Sequence, residues 1–365
     1  MTIAIVATAA GPALDALVAA CREIAPVELW APLATPAWLA RAPGLIGRYA
    51  RRRHAPHDVA APYLLAVDAG LRAWARGRTD RRYQTDFALR AAIDAWAARC
   101  VRRRRPRVVI APSLAARRTF AAARAIGAAT VLAVDVPLLR ALHRDLDRAA
   151  AVWPERGFLR RFRAPSRAIA RQDAERVLAD LVLVRGAYAH ALCQADGIPA
   201  VRLAMLPAPP PPAWPLAIAP TGRIRLAGLA AARHGVDTAL AVARALGHTL
   251  VVRVGEGTEP ADLARRAGVA VDDGPVDAII GPAICESYPA ELRATGLPVI
   301  ASPMASLDGN GPDPYDARAF AEAVEHACAE AVGHACAEAV EHACTAPPHR
   351  MAPTPPLAAL IAALI

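Results

Sequence analysis

Apolar residues fall along this chain in two alternating rhythms. Short runs such as IAIVA (3–7), VELW (27–30), RVVIAPS (107–113), TVLAVD (130–135) and LVLVRG (181–186) are apolar at most positions or at every second one. Between them lie longer stretches, among them PALDALVAACREI, FALRAAIDAWAARCV, LAARRTFAAARAIG, DAERVLAD and AYAHALCQADG, that read as helices. The first rhythm predicts strands, and the second predicts helices with one buried face. Strand–helix alternation at this spacing argues for a parallel sheet wrapped by helices, and right-handed crossovers make such a unit Rossmann-like.

The rhythm stops at 207–222, PAPPPPAWPLAIAPTG, where six of the first nine residues are proline. Such a stretch forms a stiff, polyproline-like connector. Beyond it the alternation resumes with RIRLAG, GVDTALAVARALG, TLVVRVG, ADLARRAG, VAVD, DAIIGP and LPVIASP. The chain is therefore expected to be α/β, with two Rossmann-like parallel-sheet domains facing a cleft. The first domain would span 1–206, the linker 207–222, the second domain 223–345, and a tail 346–365.

The second domain ends in a tandem repeat, EAVEHACA-EAVGHACA-EAVEHACT (322–345). Each eight-residue copy turns about 80° around a helix. His326, His334 and His342 therefore cannot share a face, and a metal site there is not expected. An alanine-rich helix lengthened by duplication accounts for the pattern.

Composition narrows the class. The longest anchor-like run is LAALIAALI, nine residues, against the roughly 20 needed to span a bilayer. No basic residue precedes Arg22, so the start reads as strand, turn and helix and not as a signal peptide. The seven cysteines are scattered without a disulfide framework, which favours a reducing, cytoplasmic setting. Net charge is +10, and every basic residue is an arginine. Arginine clusters at 51–53, 102–105 and 160–163 read either as solvated helix faces or as contacts to an anionic membrane surface, placing the chain peripherally at an inner membrane. Nucleic acid is not an expected partner, because aromatic interleaving is sparse and no recognition motif occurs.

Several local signatures are absent. The first turn, ATAAGPA, lacks G-x-G-x-x-G, and neither a G-x-S-x-G elbow nor a Walker loop is present. No cofactor is expected. Asp145-x-Asp147 has the spacing of a metal-binding acidic pair, but it lies in a helical, arginine-rich run, ALHRDLDR.

The most informative stretch is AICESYPAELRATGLPVIASP (283–303). It reads as a strand end, a loop carrying Glu286, a short helix opening near Glu291, and a buried strand after Gly296 and Pro298. Carboxylates at the mouth of a parallel sheet can accept paired hydroxyl hydrogen bonds, while a helix N-terminus faces anionic phosphates. The stretch resembles the donor-binding segment of glycosyltransferases with the GT-B architecture. ELRATGLPV matches the second half of that motif, with Glu291 as its second glutamate; Glu286 lies five positions upstream where the family places the first glutamate eight upstream. RIRLAGLAAARHGVDTALAVARAL resembles the opening of the family's second domain, TLVVRVGEGTEPADL its next strand and glycine turn, and ADLVLVRGAYAHALCQADGIPAVRLAMLP the end of its first domain.

The resemblance implies a sugar transfer from a nucleotide-sugar donor to a saccharide or lipid-linked acceptor, with retained configuration and no metal. It implies donor binding by Gly228, His234, Glu286, Ser287, Tyr288 and Glu291, with Arg233 stabilising the leaving diphosphate and Asp135 near the acceptor as a catalytic group. Family members grip the diphosphate with an arginine and a lysine; this chain carries Leu229 and His234 at those places, with Arg233 adjacent. Each residue also has an ordinary reading. Arg233 reads as a solvated loop residue, and the two glutamates as first-turn helix stabilisers. Asp135, followed by VPLL, reads as a helix N-cap. A degenerate homologue that keeps the fold as a binding or scaffold module is the alternative function, and an unrelated two-domain α/β binding protein is a further one.

Overall fold

The computed structural model describes residues 2–8, 12–35, 41, 57–76, 79–154, 163–206, 221–229, 234–253, 269–271, 274–284, 297–306, 310–341, 359 and 361. Two parallel sheets organise them.

The first sheet contains β1 (Ile3–Val6), β2 (Val27–Trp30), β3 (Val108–Pro112), β4 (Ala129–Ala133), β5 (Leu181–Val184) and β6 (Leu203–Met205), in the order β2-β1-β3-β4-β5-β6. Its helices are α1 (Pro12–Arg22), α2 (Pro62–Trp74), α3 (Thr79–Arg104), α4 (Arg117–Ala125), α5 (Leu139–Val152), α6 (Ser166–Leu178) and α7 (Ala187–Ala195). Its strands are apolar at every position except Glu28 and Thr130, because both sheet faces are covered. Ile3, Ile5, Val108, Ile110, Leu181 and Leu183 enter one core layer with Leu17, Val18 and Cys21 of α1. Their alternating neighbours, including Ala4, Val6, Val109, Leu132, Val182 and Val184, enter the opposite layer with Leu64 of α2, Ile93 and Trp96 of α3 and Phe120 of α4. A strand places successive side chains on opposite faces, so one apolar run builds two layers.

The second sheet contains β7 (Arg223–Leu229), β8 (Thr249–Arg253), β9 (Val269–Ala270), β10 (Ala278–Gly281) and β11 (Val299–Ala301), in the order β11-β10-β7-β8-β9. α8 (Val236–Ala245) and α9 (Ala317–Glu341) pack on it. Val236, Ala239, Leu240 and Val242 of α8 meet Phe320 and Val324 of α9 over Ile224, Leu226, Leu250 and Ile280. Through residue 341 the histidine–cysteine repeat continues α9 as one helix, as its periodicity predicts. His326 is exposed and faces Glu330 four residues on, 3.3 Å away. No group of three or more potential metal ligands occurs among the described residues.

Two α/β units with parallel sheets are thus present, as expected. The proline-rich stretch 207–220 and the run ADLARRAG lie outside the described residues. Ile361, far along the expected tail, is fully buried in the α1 layer of the first domain, among residues such as Leu17 and Leu183. Among the described helices, none is long and apolar enough to cross a membrane.

Candidate functional site

In open parallel sheets, ligands bind outside the carboxyl ends of the strands where the strand order reverses direction. The second sheet reverses between β7 and β10, which pair in parallel with Ala278 beside Ile224 and Ile280 beside Leu226. Gly228 stands at the carboxyl end of β7, just where its register against β8 shifts between Arg225 and Leu229. The next described residues are His234 and Gly235, and α8 begins immediately after them with Asp237 in its first turn. Across the reversal point, β10 ends at Gly281 and leads into Pro282, Ala283 and Ile284.

These two strand exits touch. Gly235 is left-handed, with φ +75°, and a Cβ placed on it would lie 1.8 Å from the carbonyl oxygen of Pro282. Only glycine fits that conformation and that approach together. The segment holding Gly228 and His234 and the segment leading to Glu286 are therefore neighbours in space. Arg233, Glu286, Ser287, Tyr288 and Glu291 lie outside the described residues.

The first sheet reverses between β1 and β3. The loop leaving β3, residues 113–116, is held by side chains from two helices. Glu175 of α6, fully buried, accepts hydrogen bonds from the amides of Leu114 (2.6 Å), Ala116 (2.9 Å) and Arg117 (3.1 Å). Asp94 of α3, also fully buried, accepts from the amides of Arg118 (3.0 Å) and Thr119 (2.8 Å). The N-cap residue of α4, Ala116, has no side chain to offer, so two distant carboxylates satisfy the helix's orphan N–H groups. Leu114 is left-handed, with φ 69°; Glu175 fixes its amide, and Arg171 donates to its carbonyl at 3.3 Å.

Burial drives the Glu175 carboxyl up to about 7, against the downward pull of its amide donors. The three amides favour the charged form, whereas loss of water and the nearby Asp94 oppose it.

Asp135 follows β4 and is not a helix cap. α5 begins four residues later, after Leu138, and its cap position has no side-chain bond. The Asp135 carboxylate is instead gripped by Arg90 of α3, at 2.9 and 3.2 Å, in a forked pair. The same guanidinium donates to the carbonyl of Ser113 at 2.6 Å. Burial lowers the Arg90 pKa, but the charge and hydrogen bond of Asp135 outweigh it and the net shift is upward. Gln172 of α6 completes the frame, donating to the Ser113 hydroxyl (3.1 Å) and the Pro137 carbonyl (3.2 Å) and accepting from the Leu139 amide (2.7 Å). The loops after β3 and β4 are thus tied to each other at the open end of the sheet, with Asp135 between them and only partly covered.

The acidic pair at 145 and 147 separates. Asp145 is buried and accepts from the Tyr188 hydroxyl at 3.0 Å, and burial lifts its carboxyl to about 6. Asp147 is exposed and pairs with Arg163. Two carboxylates that point to different surroundings cannot share one metal ion.

The two domains meet beside these loops. Ile284, one residue before the glutamate-bearing segment begins, is fully buried in a cluster with Leu114, Leu139, Leu142 and Leu146 of the first domain. Tyr315 packs edge-on against Trp153 with ring centroids 5.0 Å apart, and the Arg148 guanidinium lies 5.0 Å from the Tyr315 ring centroid while also pairing with Asp313.

Sequence reasoning missed Arg90, Asp94, Gln172 and Glu175. Their partners are 23 to 61 positions away, and no local pattern marks them.

No protein-family model matches the chain, and no curated protein matches it. Solved structures do. A sucrose-phosphate synthase from Thermosynechococcus elongatus aligns over 91% of this chain and 90% of its own, with TM-score 0.52 and 13% identity. A lipopolysaccharide outer core galactosyltransferase aligns over 90% and 91%, with TM-score 0.49 and 14% identity. A glycosyltransferase from Rickettsia africae ESF-5 aligns over 94% and 91%, with TM-score 0.47 and 11% identity. At these identities the likeness concerns the fold.

Proposed function

We propose, from the GT-B fold of two Rossmann-like domains with parallel sheets, a glycosyltransferase that moves a sugar from a nucleotide-sugar donor to a saccharide or lipid-linked acceptor. One observation carries the reading. The two segments that resemble the family's donor motifs leave adjacent strands at the reversal point of the second sheet and press together at Gly235 and Pro282. Gly228 lets a diphosphate approach the backbone, and a cation at 233–234 offsets charge growing on the leaving group. Glu286 and Glu291 take sugar and ribose hydroxyls, and Ser287 and Tyr288 offer amide and hydroxyl donors. From the first domain, Asp135, held by Arg90, faces the acceptor. Metal independence and retention of configuration are part of the same reading.

Leu229 and His234, in place of an arginine and a lysine, favour a second reading, a binding or scaffold protein without turnover. Thermal-shift titration with UDP, GDP, ADP, TDP and their sugars separates these from no binding at all. A saturable shift with one nucleotide, lost in Glu291→Ala and Arg233→Ala, supports the donor site. Release of nucleoside diphosphate from that donor then favours the enzyme, and its absence favours the scaffold. No shift with any nucleotide removes the donor site from this crevice.

A further inference from the structure

The helical layer α2–α3–α4 on the outside of the first domain has two features that the transfer reaction leaves unused. The outward face of α2 is apolar at helical spacing. Tyr63 is 53% exposed, Val67 39% and Trp74 52%, and Ala66, Gly70 and Ala73 are exposed between them. Residues three and four apart share a helix face, so these form one stripe ending in an aromatic ring at each end. Scattered single apolar residues are ordinary on a surface, but a continuous stripe with terminal aromatics is not. The inward face of the same helix is satisfied, with Leu64 buried in the core.

The second feature lies on the other flank of α3. An open groove of about 430 Å³ runs between α3 and α4, floored by Ala95, Ala98 and Ala121 and rimmed by Arg99, Arg102 and Arg118. None of these three guanidiniums has an ion-pair partner among the described residues. Arg103, Arg105, Arg117 and Arg124 are exposed nearby on the same two helices and the turn after α3. Among the acidic residues of α2 and α3 whose side chains are described, Asp86 is exposed and Asp68 and Asp94 are buried.

We propose that this layer docks on an anionic phospholipid bilayer. Tyr63, Val67 and Trp74 would sit at the headgroup–acyl boundary, and the arginine-rimmed groove would receive lipid phosphates. Charge complementarity decides between occupants. An apolar stripe alone would suit another protein, but a stripe beside a cluster of arginines combines the two terms that drive interfacial binding, buried apolar area and attraction to anionic lipid. Aromatic side chains with a polar edge favour the interfacial zone. Vesicle binding needs neither donor nor acceptor, so the proposal stands or falls separately from the reaction.

The test is flotation of the full chain with vesicles of phosphatidylcholine alone and of phosphatidylcholine mixed equally with phosphatidylglycerol. Binding is expected to the mixed vesicles only and to weaken as salt rises. The triple variant Arg99→Gln, Arg102→Gln, Arg118→Gln should lose binding on the order of 100-fold, at about 1 kcal/mol for each arginine. Tyr63→Ser with Trp74→Ser should also lose it, and melting temperatures taken on each variant separate lost docking from lost folding. Equal binding to neutral vesicles, no binding to either, or full binding by both variants would overturn the proposal. So would a dimer that is abolished by the Tyr63 and Trp74 changes without vesicle binding, which assigns the stripe to a second copy. A thermal shift with inorganic phosphate that is lost in the arginine variant, again without flotation, would assign the groove to free phosphate instead.

Discussion

Gly235 and Pro282 occupy the same small space where two parallel strands end. A single methyl group on Gly235 would come within 1.8 Å of the Pro282 carbonyl oxygen, at a φ of +75° that side chains rarely adopt. The contact joins the turn before α8 to the exit of β10, so it sets the width of the crevice in which the donor is proposed to bind.

Gly235→Ala should therefore act twice, through steric overlap and through backbone strain. The expected cost is about 2–4 kcal/mol, measured by urea denaturation. Any nucleotide-induced thermal shift should weaken at the same time. Gly247→Ala is the control: it also has positive φ, +64°, but nothing lies within 4 Å of an added Cβ, so its cost should be smaller and leave nucleotide binding intact.

Arg90→Ala removes the fork that holds Asp135 and the Ser113 carbonyl. Both partners of the ion pair are mostly shielded, with side chains 17% and 21% exposed. Leaving Asp135 unpaired should cost about 2–4 kcal/mol. Arg90→Lys keeps the charge but not the fork and should fall between. In a double-mutant cycle with Asp135→Asn, the combined loss should be clearly smaller than the sum of the single losses.

The buried Glu175 gives the fold a defined pH dependence. Its carboxyl moves from an ordinary 4.5 to about 7 on folding, so between those values the folded state binds more protons than the unfolded state. Its contribution is fully present below about pH 4.5 and is lost as pH rises through about 7. The loss amounts to about 3 kcal/mol. Urea midpoints of the native chain and Glu175→Gln, compared from pH 5 to 8, should diverge in that direction, with the flatter profile in the variant. Asp145→Asn should show a similar but lower window, ending near pH 6.

Tyr315 joins the two domains through two aromatic contacts that one substitution removes. Tyr315→Ala removes the edge-on packing with Trp153 and the cation–π contact with Arg148, together worth about 1–2 kcal/mol. Calorimetry should then show the unfolding of the two domains separating into two transitions. Arg148→Gln, which keeps the aromatic pair, should separate them less.

Much of the architecture was legible along the chain. IAIVA, RVVIAPS and LVLVRG could be read as buried strands because period-two geometry and unbroken apolar character are local properties, visible without knowing any neighbour. The same holds for the duplicated helix, whose eight-residue step already spreads its histidines around the axis. Reading Asp135 as a helix cap failed for the opposite reason. A cap is judged from the next few residues, whereas the side chain's actual partner, Arg90, lies 45 positions back on another helix.

The sequence by itself determined the strand and helix rhythm, the need for two covered sheets, and a glycine that precedes α8. It did so because each of these follows from spacing or from the conformational freedom of single residues. Only the tertiary structure decided which strands are neighbours, and hence that β7 and β10 flank the reversal point where Gly235 meets Pro282. It alone picked Arg90 from 43 arginines of identical chemistry, set Glu175 and Asp94 as the caps of a helix that brings none of its own, and placed Ile361 in the core of the first domain. Those partnerships depend on the packing of elements far apart in the chain, and no short-range pattern encodes a distance that only folding closes.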